Sequence, residues 1–250
     1  MKRQARSRQA RQAVRMARRR AAGMAVAVLV LLGTGAMALE RLLDPASFPV
    51  RTLRLGGELA HIDRAQVRDL ALAHAAGGFL RVDVDGMRAA VGALPWVREA
   101  AVRRVWPDII EVEVREHRAL AQWRGSALLS EQGVLFSPPR AQWPEGLPAF
   151  TGPDGSAAGV VQRYRELHGI LGPVGLTVVS LEMSERRALR LGLDNGLMVL
   201  LGRDDPQARL ERFVRVYPKA LEQQAAGIMQ VDLRYTNGFA VAWKKAAPAV

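Results

Sequence analysis

The sequence predicts an α+β protein in three parts: a single transmembrane helix, a small β-α-α-β-β module, and a C-terminal mostly antiparallel β domain with packed helices. Three observations predict it. Residues 21–39, nineteen in a row without a charge, follow a basic tail. Residues 48–118 then carry hydrophobic periods in the order strand, helix, helix, strand, strand. Residues 119–245 are richer in strand patterns and close on MQVDLRYTNGFAVAWKK.

The formal net charge of +12 belongs mostly to the tail, residues 1–20. Nine of the 36 Lys and Arg lie there, and no acid precedes Glu40, so the body of the chain is close to neutral. The tail lacks the interleaved aromatics on which bases stack, so no specific nucleic acid is expected. A juxtamembrane cation cluster instead orients a span and holds anionic lipid headgroups. As a helix, residues 21–39 would reach about 28 Å, close to the hydrocarbon thickness. The cation excess on the N-terminal flank predicts a cytoplasmic N-terminus with everything from Glu40 on across the inner membrane. The alternative is a cleaved signal peptide, because Ala36-Met37-Ala38 has the small-x-small form of a cleavage site.

In the first module VRTLRL (50–55) alternates as a strand and Gly56-Gly57 turns the chain. Asp63 is a good N-cap, so a helix is expected from Arg64 to the Gly77-Gly78 pair. Met87, Val91 and Leu94 mark a second helix, which Pro95 ends. WVREAAVRRV and IIEVEVRE then read as two strands joined through Trp106-Pro107-Asp108. Two helices on one face of three strands make a complete α+β unit.

In the second domain LAQW, ALLS and VLF are short strand candidates, and SPPRAQWPEGLP is loop. Val160, Tyr164, Leu167 and Leu171 form a 3.6-residue stripe closed by Gly172-Pro173. Strands return in LTVVSLEM, ALRLGLD and LMVLLG. Asp205-Pro206 looks like a capped helix start with proline in the first turn, leading into Leu210, Phe213, Val214 and Tyr217. In the closing stretch Val231, Leu233 and Tyr235 alternate, Asn237-Gly238 supplies a tight turn, and Phe239, Val241 and Trp243 alternate again, the pattern of a β-hairpin.

Signs of catalysis are missing. The chain has no cysteine, its four histidines are scattered, and no serine sits in a G-x-S-x-G elbow. Asp83-Val84-Asp85-Gly86 has too few oxygen ligands for a calcium loop and reads as a helix cap. No metal, no cofactor and no enzymatic activity are expected.

Four stretches, FPVRTLRLGG, LPWVREAAVRRVWPDIIEVEVRE, LGRDDPQARLERFVRVYP and VDLRYTNGFAVAW, stand in this order behind the tail and span. Together they resemble the bacterial cell-division FtsQ (DivIB) family. That resemblance implies a POTRA domain at 48–118, a C-terminal β domain at 119–245, and a divisome scaffold at the septum whose last strand accepts a segment of FtsB, with FtsL, by strand addition. It places Arg186, Tyr235, Asn237, Gly238, Ala242 and Trp243 at or beside that contact. It assigns Val102, Arg104 and Glu116 of the POTRA domain to recruitment. Two alternatives stay open: Trp243 could be core, and Val102 could simply pack its strand. A different function, a POTRA chaperone for unfolded outer-membrane polypeptides, is the competing reading; such proteins carry several POTRA units and a barrel.

Overall fold

A computed structural model describes residues 23–24, 27–41, 48–76, 78–236 and 238–244. The tail 1–20 and Asn237 lie outside them. Residues 27–41 are helical and exposed. Among the described residues no helix is long and apolar enough to cross a membrane, the expected span falling partly outside them.

Contacts divide the chain into two units, the second of which takes in Leu59–Ile62 and Ala93–Glu99 besides everything from Arg115 on. The first unit carries strand β1 (Thr52–Gly56), helix α1 (Arg64–Ala73), a helical turn Gly78–Arg81 and helix α2 (Val84–Gly92). Strands β2 (Val97–Val105) and β3 (Ile109–Glu116) complete a sheet of order β1-β3-β2. β1 runs parallel to β3, with Leu53 opposite Ile110, and a parallel pair needs a crossover, which the two helices supply. The Asp63 side chain accepts the Ala65 N–H at 2.8 Å and starts α1 as expected. The helix stops at Ala73, ahead of the glycine pair, because the His74 and Ala75 N–H groups already bond back to Ala71 and Leu72. Val67, Ala71, Met87 and Val91 are buried, as are Ile110, Val112 and Val114 of β3. Gly57 is required: its φ is +107°, and a Cβ there would lie 2.0 Å from the Val114 carbonyl oxygen.

In the second unit nine strands form one sheet. They are β4 (Ala119–Trp123), β5 (Ala127–Ser130), β6 (Leu135–Phe136), β7 (Ala149–Thr151), β8 (Val178–Met183), β9 (Leu189–Leu193), β10 (Met198–Gly202), β11 (Ile228–Asp232) and β12 (Ala240–Trp243). The order is β12-β11-β10-β9-β8-β7-β4-β5-β6. β4–β7, β7–β8 and β10–β11 are parallel and the other neighbours antiparallel, so the sheet is mostly antiparallel. Helices α3 (Ala157–Leu171) and α4 (Pro206–Ala220) bury Val160, Leu167, Leu210 and Phe213 against Leu181, Leu191, Val199 and Val231. Successive strand residues face opposite ways, so Glu182 and Arg190 stay exposed and pair at 3.1 Å across β8 and β9.

Further sequence expectations change, and α2 ends at Gly92, short of Leu94. β7, three residues long, and the turn Gly78–Arg81 are additional elements. Asp205 does not cap α4 with its side chain: its φ of +44° is left-handed, and side-chain capping uses an extended residue. The closing hairpin pairs over a shorter stretch than expected, and Asn237 of the expected turn lies outside the described residues. Pairing ends at Asp232 opposite Ala240, and residues 233–239 form a longer connection.

Phe213 is fully buried among the sheet-facing residues of α4. Phe213→Ala is expected to destabilise the second unit by about 3–5 kcal/mol, the usual cost of such a cavity. Urea titration followed by the emission of the buried Trp123, which belongs to that unit, measures it.

Candidate functional site

β12 is the lateral strand of the nine-stranded sheet, and its backbone orientation can be worked out from its neighbours. The Leu233 N–H donates to the Leu200 carbonyl at 2.9 Å, so Val231 and Leu233 turn their backbone groups toward β10. By alternation Gln230 and Asp232 turn theirs toward β12, opposite Ala242 and Ala240. The Lys244 N–H, donated to Gly227 at 2.8 Å, keeps the same phase. Val241 and Trp243 therefore point their N–H and C=O away from the sheet, with no further strand beyond them among the described residues.

Side chains divide differently. Val241 is half-buried and packs with Phe239 against the core. Trp243 is 51% exposed, its ring close beside Gly227. Tyr235 is 58% exposed in the connection before β12, where Tyr235, Thr236, Gly238, Phe239 and Ala240 line a shallow groove. The connection is held from below by Arg212 of α4. Its guanidinium donates to the carbonyl oxygens of Leu233 (3.2 Å), Tyr235 (2.8 Å) and Thr236 (2.5 Å). Asp232, nearly buried at the end of β11, accepts from the backbone N–H and the guanidinium of Arg234 at 2.6–3.1 Å. The Arg234 hydrogen bond holds that carboxyl below the usual carboxylate range.

Of the residues singled out in the sequence, Tyr235, Gly238, Ala242 and Trp243 come together on this edge and its connection. Arg186 does not. It is exposed in the turn between β8 and β9, at the same end of the sheet as residues 233–239 but three strands inward, about 14 Å at ordinary strand spacing. Val102 is half-buried on β2, an edge strand of the three-stranded sheet. Arg104 is exposed and donates to the Val82 carbonyl at 2.6 Å. The Glu116 carboxylate, 9% exposed, is occupied: it accepts from the His61 and Ile62 N–H groups at 3.0–3.2 Å and lies 3.0 Å from His61 Nδ1. Sequence reasoning missed Arg212 and the Asp232–Arg234 pair. The pair had a signal, opposite charges two apart in an alternating stretch; Arg212 had none, being one arginine among several on α4. Among the described residues no three acidic or histidine side chains gather as a metal site.

Two family descriptions match in sequence: "POTRA domain, FtsQ-type" over residues 48–117 and "Cell division protein FtsQ/DivIB, C-terminal" over residues 119–234. Relatives called "Cell division protein FtsQ" align over most of the chain. That of Xanthomonas campestris pv. campestris is 42% identical over 194 residues, 78% of this chain and 69% of the relative. That of Coxiella burnetii is 34% identical over 201 residues, 80% and 83%. That of a Thioalkalivibrio species is 36% identical over 228 residues, 90% and 93%. With both domains matched in order and relatives this similar along their length, the chain belongs to the FtsQ/DivIB family of bacterial cell-division proteins.

Proposed function

We propose that this protein is a divisome scaffold of the inner membrane, anchored by residues 21–39 with its N-terminus in the cytoplasm and its bulk in the periplasm. Its basic tail lies against anionic headgroups, and its POTRA domain, through Val102, Arg104 and Glu116, brings it to the septum. There β12 takes up an extended segment of FtsB, held together with FtsL, as a tenth strand, and so links early and late division proteins. One observation carries this reading: Val241 and Trp243 present outward N–H and C=O groups on a lateral strand. An extended partner can bond to such a ladder while Tyr235, Trp243 and the groove beside Gly238 read its side chains. Arg186, set inward at the same end of the sheet, suits an acidic residue of the partner that has left the strand and crosses the sheet end.

Two proline substitutions test the strand addition. Val241→Pro deletes an outward N–H and is expected to abolish binding to the periplasmic part of FtsB, with only the smaller loss of melting temperature that its half-buried side chain entails. Ala242→Pro deletes an inward N–H bonded to β11 and is expected to lower the melting temperature. Binding by Val241→Pro at wild-type affinity would rule out the ladder.

Side-chain contributions separate in the same assay. Tyr235→Ala should weaken binding by about 1–3 kcal/mol without a change in stability, since the ring is exposed and no core packing is lost. Arg186→Glu should slow association, more so at low salt, because exposed charges are screened over about 10 Å at 0.1 M. Stopped-flow association at two ionic strengths reads this.

A further inference from the structure

One aromatic side chain of the first unit has no place in its core. Trp106, in the turn between β2 and β3, is 70% exposed. Its ring lies 6.4 Å from that of Phe48 and 6.5 Å from that of Phe79. The Phe79 N–H donates to the Phe48 carbonyl at 2.7 Å, which ties the start of the unit to the turn Gly78–Arg81. Leu80, next in that turn, is 44% exposed, and Pro49 is exposed beside Phe48. Trp106 thus stands exposed against Phe48 and Phe79, and the exposed Pro49 and Leu80 are the chain neighbours of those two residues.

Two exposed cations flank these groups. Arg51 and Arg81 adjoin the cluster in the chain and are both exposed. Arg51 lies 3.8 Å from Asp108, and the Asp83 side chain accepts the Gly86 N–H at 2.9 Å. The position in the chain is the third observation. From Arg41, the last described residue of the helical stretch 27–41, to Phe48 is seven residue steps, a leash of at most about 25 Å. Whatever holds that helix keeps Trp106 within reach.

We propose that Trp106 and its apolar neighbours rest in the headgroup region of the bilayer that anchors the chain, so that the first unit docks on the membrane surface. The inference rests on residues 21–39 spanning that bilayer. Tryptophan suits the boundary because its ring buries apolar area while its indole N–H stays at the wet level. The exposed guanidinium groups of Arg51 and Arg81 can donate to headgroup phosphate oxygens. Docking restrains the first unit at the membrane.

The test uses the full chain in nanodiscs of phosphatidylethanolamine and phosphatidylglycerol, some of it brominated near the headgroup, with tryptophan emission measured for wild type and Trp106→Phe. The expected result is quenching in wild type that is lost in Trp106→Phe, with unchanged thermal unfolding because residue 106 is exposed. Equal quenching in the two proteins, with Trp106 still open to a water-soluble quencher, would overturn the docking and leave the cluster to a polypeptide partner. A chain that fails to co-elute with the nanodisc would strike the anchor itself, and the docking with it.

Discussion

Parallel pairing of β10 with β11 obliges the chain to travel back along the sheet before the second strand can begin, and α4 is that return. The helix buries Leu210, Phe213 and Tyr217 as it crosses, which fixes β11 in register with β10. The register in turn sets which backbone groups of β11 are left for β12. Had β11 slipped by one residue, the buried Val231 would face the open side, and Val241 rather than Ala242 would turn inward. The same helix supplies Arg212, whose three hydrogen bonds hold the 233–239 connection and with it Tyr235. Edge phase and loop position therefore have one common support.

The sheet has two lateral strands, and they are treated differently. β6 is two residues long, and Pro138 and Pro139 follow it closely, which blunts that edge against another chain. β12 is four residues of Ala, Val, Ala and Trp, with neither charge nor proline inside it. A bare apolar edge is an aggregation hazard unless something occupies it. This asymmetry favours β12 over β6 as the proposed docking edge.

Much of this was legible in the sequence because burial leaves a local period. The stripe Val160, Tyr164, Leu167, Leu171 marks α3, and Phe239, Val241, Trp243 marks the neighbourhood of β12. Pairing leaves no such period. Leu233 continues the alternation of Val231, but its N–H bonds to β10 after contact with β12 has ended, so a long connection looked like a tight hairpin. Asp205 has the residue type of a cap and the wrong backbone for one. Arg186, Tyr235 and Trp243 were named through family resemblance; the fold separates the arginine from the other two, a distinction no linear spacing contains. Glu116 likewise carried no sign that two backbone N–H groups would occupy it.

The phase of β12 turns the N–H groups of Val241 and Trp243 outward, which on the proposed function leaves them open to a partner. Backbone amide hydrogen exchange, read residue by residue with and without the periplasmic part of FtsB, tests it most directly. The Ala240 and Ala242 amides should be protected in both states, whereas the Val241 and Trp243 amides should exchange fast alone and become protected in the complex. Protection of all four before the partner is added, or none gained at Val241 and Trp243 when it binds, would contradict it.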